Sequence, residues 1–316
     1  MTVGVAMALY NGARFVRKQL DTIRLQTLQP DRVVMCDDGS KDGTTEIVAE
    51  YIKEYGLGDT WELIKNEENL GYAKNFYKAM SLCNTDLIFL ADQDDVWELD
   101  KIEKMTAVME QRSDILVLAS KYGMVDQDGK ELHGLLEKKT NNTGELIKIG
   151  HKDLLRAFYW PGMIMAVRKD FFEGIFDLVK NHTVAHDRVL AHFAAENNGF
   201  FEYDYKSSYH RRHDNNTANE EHRIFKLLNL KRKLRDMKDH NDMLQGLLDI
   251  ELPFAKESID LITKSLESCK MREDAVRNKD MKLLNKTYRN NDSMRKVSYI
   301  CDVWPICFGK LCRRLK

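Results

Sequence analysis

Short apolar runs that end in polar residues, separated by stretches of helical period, constrain this chain more than any other feature. VGVAMAL (Val3 to Leu9) precedes a helical period over Ala13 to Thr27, and RVVMCD precedes one over Thr44 to Tyr55. TWELIKN precedes one over Gly71 to Leu82, and DLIFLAD then runs to Asp92. Strand, helix, strand in this rhythm predicts a parallel sheet with crossover helices. Ligands of such open sheets bind beyond the carboxyl ends of the strands, so the residues that close each run are the candidates for a site.

Composition sets outer limits. The 316 residues are 43% hydrophobic and 31% charged, enough for a full core in one large domain plus an appendage. With 49 basic and 50 acidic residues the net charge is -1, so no global field recruits nucleic acid. Six cysteines without a CxxC pair predict a reducing compartment. No basic leader region precedes the first apolar run, and no window approaches the roughly 20 apolar residues of a membrane span. The expectation is a cytoplasmic protein.

Three strand ends carry polar turns: ALYNG after the first, CDDGSKDGT after the second and ADQDD after the fourth. In the second, Gly39 and Gly43 permit a tight turn, and Ser40 or Asp42 can cap the helix that starts near Thr44. Asp37 and Asp38 stand where a carboxylate can accept from a base N–H or a ribose hydroxyl. In ADQDD the period of two puts Asp92 and Asp94 on one side, facing a single divalent cation, if extension persists. Oxygen ligation suits magnesium or manganese. A helix over DDVWELDKIEKMTAVM would use Asp94 or Asp95 as its cap, but three crowded acids ask for more than a cap.

Together ALYNGARFVRKQLDTIRLQTLQPDRVVMCDDGSKDGT, NEENLGYAKNF and FLADQDDVW resemble an inverting family 2 glycosyltransferase of the GT-A fold, with the strongest likeness to bacterial rhamnosyltransferase-like members. The likeness covers roughly the first 220 residues, leaving 221–316 as a separate helical region. It implies an α/β fold, a Rossmann-like nucleotide-diphospho-sugar transferase with a mixed, mainly parallel sheet flanked by helices, plus a C-terminal helical appendage. It implies that Ala8, Tyr10, Asn11, Asp37 and Asp38 border the nucleotide, with Asn69, Gly71 and Asn75 as weaker donor contacts. Asp92 and Asp94 would hold a metal and the diphosphate, Asp94 as the first choice of ligand.

Further along, FYWPGMIMAVRKDFFEGI reads as a glycine-containing turn running into a strand and is similar to the family's floor for sugar and acceptor. NHTVAHDRVLAHF begins a helix at Asp187, where relatives carry the catalytic base. Spacing alone favours an ordinary cap pair at His186-Asp187; the upstream motifs reverse that preference. In YHRRHDNNT, the resemblance implies that Arg211 or Arg212 contacts the diphosphate and that His213 adds a metal ligand or acceptor contact; a solvated basic loop is the plain alternative. A zinc site built on His182, His186 and His192 is not expected, because HTVAH lacks the glutamate of a zinc-hydrolase motif.

The region from Glu221 is Lys-, Leu- and Met-rich and helical in period, with a break at Pro253. At its end Trp304, Ile306, Phe308 and Leu311 stand beside Lys310, Arg313, Arg314 and Lys316, which suits a peripheral contact with anionic lipid or a docked helix. The expected function is transfer from a nucleoside-diphosphate sugar (dTDP-rhamnose or a UDP-hexose) to a glycan or lipid-linked oligosaccharide in bacterial surface polysaccharide synthesis, with Mn2+ or Mg2+. A nucleotidyltransferase and a catalytically silent glycan-binding assembly subunit remain alternatives, and a homo-oligomer is compatible with the sequence.

Overall fold

The computed structural model describes residues 1–132, 140–213 and 230–289, together with Tyr299, Asp302 and Val303. The chain divides into two units: Met1–Gly150 with Tyr159–His213, and His151–Phe158 with Asp214–Lys316. The boundary expected at 220/221 and the apolar and basic residues from Trp304 onward lie outside the described residues.

The first unit is built on a nine-stranded sheet of order β3-β2-β1-β4-β8-β6-β9-β5, with β7 paired to β9. Strands β1 (Val3–Leu9), β2 (Arg32–Asp37), β3 (Trp61–Lys65) and β4 (Leu87–Asp92) are mutually parallel. The runs of consecutive buried residues in β1, β2 and β4 are what a sheet covered on both faces requires. Strand β8 (Met165–Arg168) joins β4 and β6 (Val117–Val125) antiparallel, and β6 pairs parallel with β9 (Phe200–Arg211). The edge strand β5 (Val96–Trp97) and the short β7 (Leu146–Lys148) both run antiparallel to β9.

The crossover helices are α1 (Val16–Arg24), α2 (Thr44–Glu54) and α3 (Tyr72–Leu82). In α1 the buried positions Val16, Gln19, Leu20 and Ile23 trace the i, i+3, i+4, i+7 stripe of a helix laid on a sheet. It is shorter than the expected Ala13 to Thr27 because residues 11 to 13 are held by the α2 loop: Gly12 N–H donates to Thr44 Oγ1 (2.8 Å) and Ala13 N–H to Asp42 Oδ2 (3.0 Å). Asp42 also accepts from Thr44 N–H, so it fastens the start of α2 much as expected of a cap.

The helix α4 (Lys101–Gln111) starts later than expected, after Asp100. Asp94 and Asp95 are therefore not its caps: a turn and β5 intervene, and Asp95 is buried. Helices α6 (Lys169–Val179) and α7 (His186–Glu196) complete the unit. His182 precedes α7, so His182 and His186 do not share a helix face.

In the second unit α5 (His151–Arg156) accompanies α8 (Leu230–Asp249), α9 (Lys256–Asn278) and α10 (Met281–Arg289), with the α8–α9 break at the expected Pro253. Met237, Ala275, Val276 and Leu284 form a small core there. Asp302, fully buried, accepts from Arg272, Lys233 and Tyr288. No helix among the described residues is long and apolar enough to cross a membrane.

Candidate active site

The register of the parallel strands brings the predicted residues to one rim. Ala8 pairs with Cys36 on one side and Asp92 on the other, and Leu9 pairs with Asp37. Beyond this point the chain leaves β1 through Tyr10, which is exposed, and Asn11, which adopts a left-handed φ of 49°. Asn11 is bonded at both ends, its N–H to Ser40 Oγ and its Oδ1 from Lys41 N–H, each at 2.9 Å. The first two strand ends are thereby one rigid edge.

The paired acids after β2 have separate duties. Asp37 Oδ2 accepts from Gly39 N–H and Ser40 N–H, while its Oδ1 is buried without a partner among the described residues. That oxygen can accept from a ligand. Asp38 is fully engaged: Oδ1 accepts from Asn66 and from Leu70 N–H (2.7 Å), and Oδ2 from Gly71 N–H (2.9 Å). Asn69 donates to Asp38 O at 2.8 Å, and Gly71 takes φ 78° before α3. Asn75 is buried, donating to Cys36 O and accepting from Asn66, so it is tied to β2 rather than facing the rim. Asp38 and Asn75 thus shape the donor edge from behind.

After β4 the acids crowd. Burial, then Asp94, then Asp187 push the Asp92 carboxyl up to about 7, with Lys101 opposing. Burial and the two neighbouring acids also drive Asp95 well upward. One Asp95 oxygen accepts from Arg211 N–H at 3.1 Å, and the other has no partner among the described residues. Beneath these acids lies Lys101, fully buried, its Nζ donating to Met163 O and to Ser208 Oγ and seated over the Trp97 ring at 3.5 Å. Burial holds its ammonium well below the usual lysine range.

The basic segment at the end of β9 departs from expectation in one respect. Arg211 is 1% exposed, its guanidinium donating to the carbonyls of Asp94 (2.9 Å), Asp126 and Gln127 (both 3.2 Å). It is a buried tie between loops, where a solvated basic segment was the plain alternative. Arg212 donates its backbone N–H to Val125 O and is only partly buried. His213 packs against Phe15 in a tilted arrangement with centroids 4.5 Å apart and places Nε2 2.8 Å from Asp94 Oδ2.

Asp187 sits in the first turn of α7. Arg188 N–H donates to its Oδ1 at 2.7 Å, and its second oxygen has no hydrogen-bond partner among the described residues. Its charge bears on Asp92, Tyr72 and Tyr77, raising the pKa of each. A carboxylate with one oxygen steadied and the other open is suited to accept a proton.

Among the described residues no three His, Cys, Asp or Glu side chains form a ready-made metal cage. A cation or a shared proton would relieve the crowding of Asp92 by Asp94, and Asp94 with His213 presents oxygen and nitrogen donors side by side. Magnesium and manganese are commonly held by one or two carboxylates with water and substrate phosphate filling the shell. The donor set fits such an ion.

Residues 4–176, more than half of the chain, match the family model described as Glycosyl transferase family 2. The chain belongs to that family. EpsE of Bacillus subtilis, assigned as a glycosyltransferase, is 29% identical over 127 residues, covering 40% of this chain and 45% of its own. TuaG of the same organism, assigned to teichuronic acid biosynthesis, is 28% identical over 130 residues, 41% and 50% of the two chains. This family 2 chain therefore spans about half the length of these curated relatives. Its fold resembles that of Staphylococcus aureus TarS residues 1–349 in complex with UDP-GlcNAc, with a TM-score of 0.63 at 14% identity, covering 99% of this chain and 88% of that one.

Gln93 and Lys101 escaped the sequence reading, and the buried carbonyl contacts of Arg211 were not foreseen. Gln93, between Asp92 and Asp94, bonds the backbone of Tyr10 in both directions. Lys101 reads as a polar helix residue, although its place on the 101, 105, 109 row with Met105 and Met109 was a usable signal of burial. Arg211 looks solvated in YHRRHD because the carbonyls it serves lie far away in sequence.

Proposed function

We propose that this family 2 protein transfers a sugar from a nucleoside-diphosphate donor to an acceptor hydroxyl with inversion, in the synthesis of a bacterial surface polysaccharide. The observation that carries the reading is the strand register, which brings Asp37 and Asp92 to one rim on either side of β1, together with Asp187 in the first turn of α7, one of whose oxygens has no partner among the described residues. UDP-hexoses are favoured as donors by the UDP-GlcNAc complex of TarS, and dTDP-rhamnose by the motif pattern. A glycan or lipid-linked oligosaccharide is the acceptor class, and the teichuronic acid role of TuaG agrees with it.

The residues divide the work as follows. The open Asp37 oxygen accepts from the base or ribose, and the edge around Ala8, Tyr10 and Asn11 borders the nucleoside. Arg212 is the remaining arginine of its pair for the diphosphate. Asp94, Asp92 and His213 would hold manganese or magnesium, which when bound supplies Lewis-acid neutralisation of charge on the diphosphate. Asp187 takes the proton of the acceptor hydroxyl as that oxygen attacks the anomeric carbon from the face opposite the diphosphate. The glycosyl carbon passes through an oxocarbenium-like state, and the nucleoside diphosphate leaves with the bonding pair.

Asp187→Asn tests this directly. Transfer from UDP- or dTDP-sugars with manganese should fall at least about 100-fold, while donor-induced thermal stabilisation persists. Undiminished transfer by the variant would remove Asp187 from the role of base, and a wild-type protein stabilised by no uridine or thymidine donor would remove the reading altogether.

A further inference from the structure

His186 opens α7 next to Asp187 and is 5% exposed. Its ring stacks on Phe76 with centroids 3.9 Å apart and meets the Tyr72 ring edge-on at 6.3 Å. On the other side Nε2 enters the space above Gly162: a Cβ on that residue would lie 2.5 Å from it. Glycine at 162 is thus a requirement of the imidazole. The fold has made room for this ring.

Neither ring nitrogen has a hydrogen-bond partner among the described residues. A neutral imidazole carries one N–H and one lone pair, so both a donor and an acceptor are buried unpaired. Native interiors pair such groups, and each orphan costs about 1–3 kcal/mol. Phenylalanine would fill the same slot between Phe76 and Gly162 without that cost. The polar ring therefore points to a ligand.

We infer that His186 binds the sugar at the transfer centre, its ring nitrogens pairing with a hydroxyl of the pyranose that lies against Asp187. The inference rests on the glycosyltransferase reading above. A hydroxyl both donates and accepts, as the neutral ring does, and a sugar's apolar ring face suits the Phe76 and Tyr72 aromatic surfaces. A phosphate would call for a cation, which burial denies here: the imidazole is held down to about 4. A metal ion would need further ligands, and no such group of three exists among the described residues.

His186→Phe keeps the shape and removes the polar atoms. Its Tm should equal or exceed that of wild type, while KM rises at least about tenfold for the substrate that loses the hydroxyl contact. Two arms locate that hydroxyl. Hydrolysis of UDP-N-acetylglucosamine, UDP-glucose and dTDP-rhamnose with manganese and no acceptor reports on the donor sugar. Transfer from the active donor at saturation to a panel of nitrophenyl glycosides reports on the acceptor. Unchanged KM in both arms makes the ring a packing element and overturns the inference while leaving the family reading intact; a wild-type protein inactive with every donor overturns both. If His186→Phe does not fold, His186→Gln and His186→Met carry the comparison, with the amide expected to stay within about threefold of wild-type KM and the thioether not. Equal KM in those two variants also overturns it.

Discussion

The side-chain amide of Gln93 closes a ring with the backbone of Tyr10, accepting from its N–H at 2.9 Å and donating to its carbonyl at 2.8 Å. The residue between Asp92 and Asp94 thereby fixes the exit of β1, and the same side chain fills the space above Gly12, where a Cβ would lie 2.2 Å from Gln93 Oε1. Gln93→Ala should cost about 1–2 kcal/mol of stability and weaken donor binding more than it slows turnover, which urea titration together with KM and kcat would show. Gly12→Ala, by displacing Gln93, should produce the same kinetic pattern.

Arg211 and Arg212 are expected to part company. Arg211→Met leaves three loop carbonyls without their donor and should lower stability by about 3 kcal/mol or more. Arg212→Met should raise donor KM. Thermal melts of both variants, read beside donor titrations, check the division; a stable Arg211→Met protein with poor donor affinity would reverse it.

Asp38→Asn retains size but turns an N–H toward backbone N–H groups that Asp38 now accepts. With Leu70 and Gly71 N–H both on the carboxylate, a loss of about 2–4 kcal/mol follows, along with faster amide exchange at 70 and 71. Asp37→Asn, with one oxygen of the native carboxylate unpartnered, should be milder in stability and harsher in donor affinity.

Acid should weaken the fold through His186. An unfolded-chain histidine takes up its proton near 6.5, whereas burial lowers the folded one to about 4 and only the adjacent Asp187 opposes. Stability is therefore fully present above pH 6.5 and is lost as the pH falls through 4, by up to about 3 kcal/mol. His186→Phe should flatten that part of the curve. Denaturant midpoints from pH 7.5 to 4 in both proteins measure it, and parallel curves would contradict it.

The parallel half of the sheet was legible because its strands are continuous apolar runs and its helices have clean periods, so β1 to β4 fall within a residue or two of expectation. In the second half the turn into β8 and the start of α7 were legible, but the remaining strands were not. Strand β5 has two residues, β7 three, and their pairing with β9 depends on contacts distant in sequence. The same physics governed the site. Strand ends announced Asp37, Asp92 and Asp94 by position, but which polar residue is spent on the scaffold depends on three-dimensional partners. Arg211, Asp38 and Asn75 are spent that way, and nothing in their neighbours along the chain says so.

Asp38 holds the turn before α3 by gripping the backbone N–H groups of Leu70 and Gly71, without using the side chain of Leu70 or of Tyr72. Those two side chains can be exchanged while the turn stays where it is. Tyr72, 53% exposed and edge-on to His186, is thus an interchangeable tool on a fixed handle. A substitution at 72 therefore changes the ring that meets His186 while the turn beneath it keeps its backbone bonds.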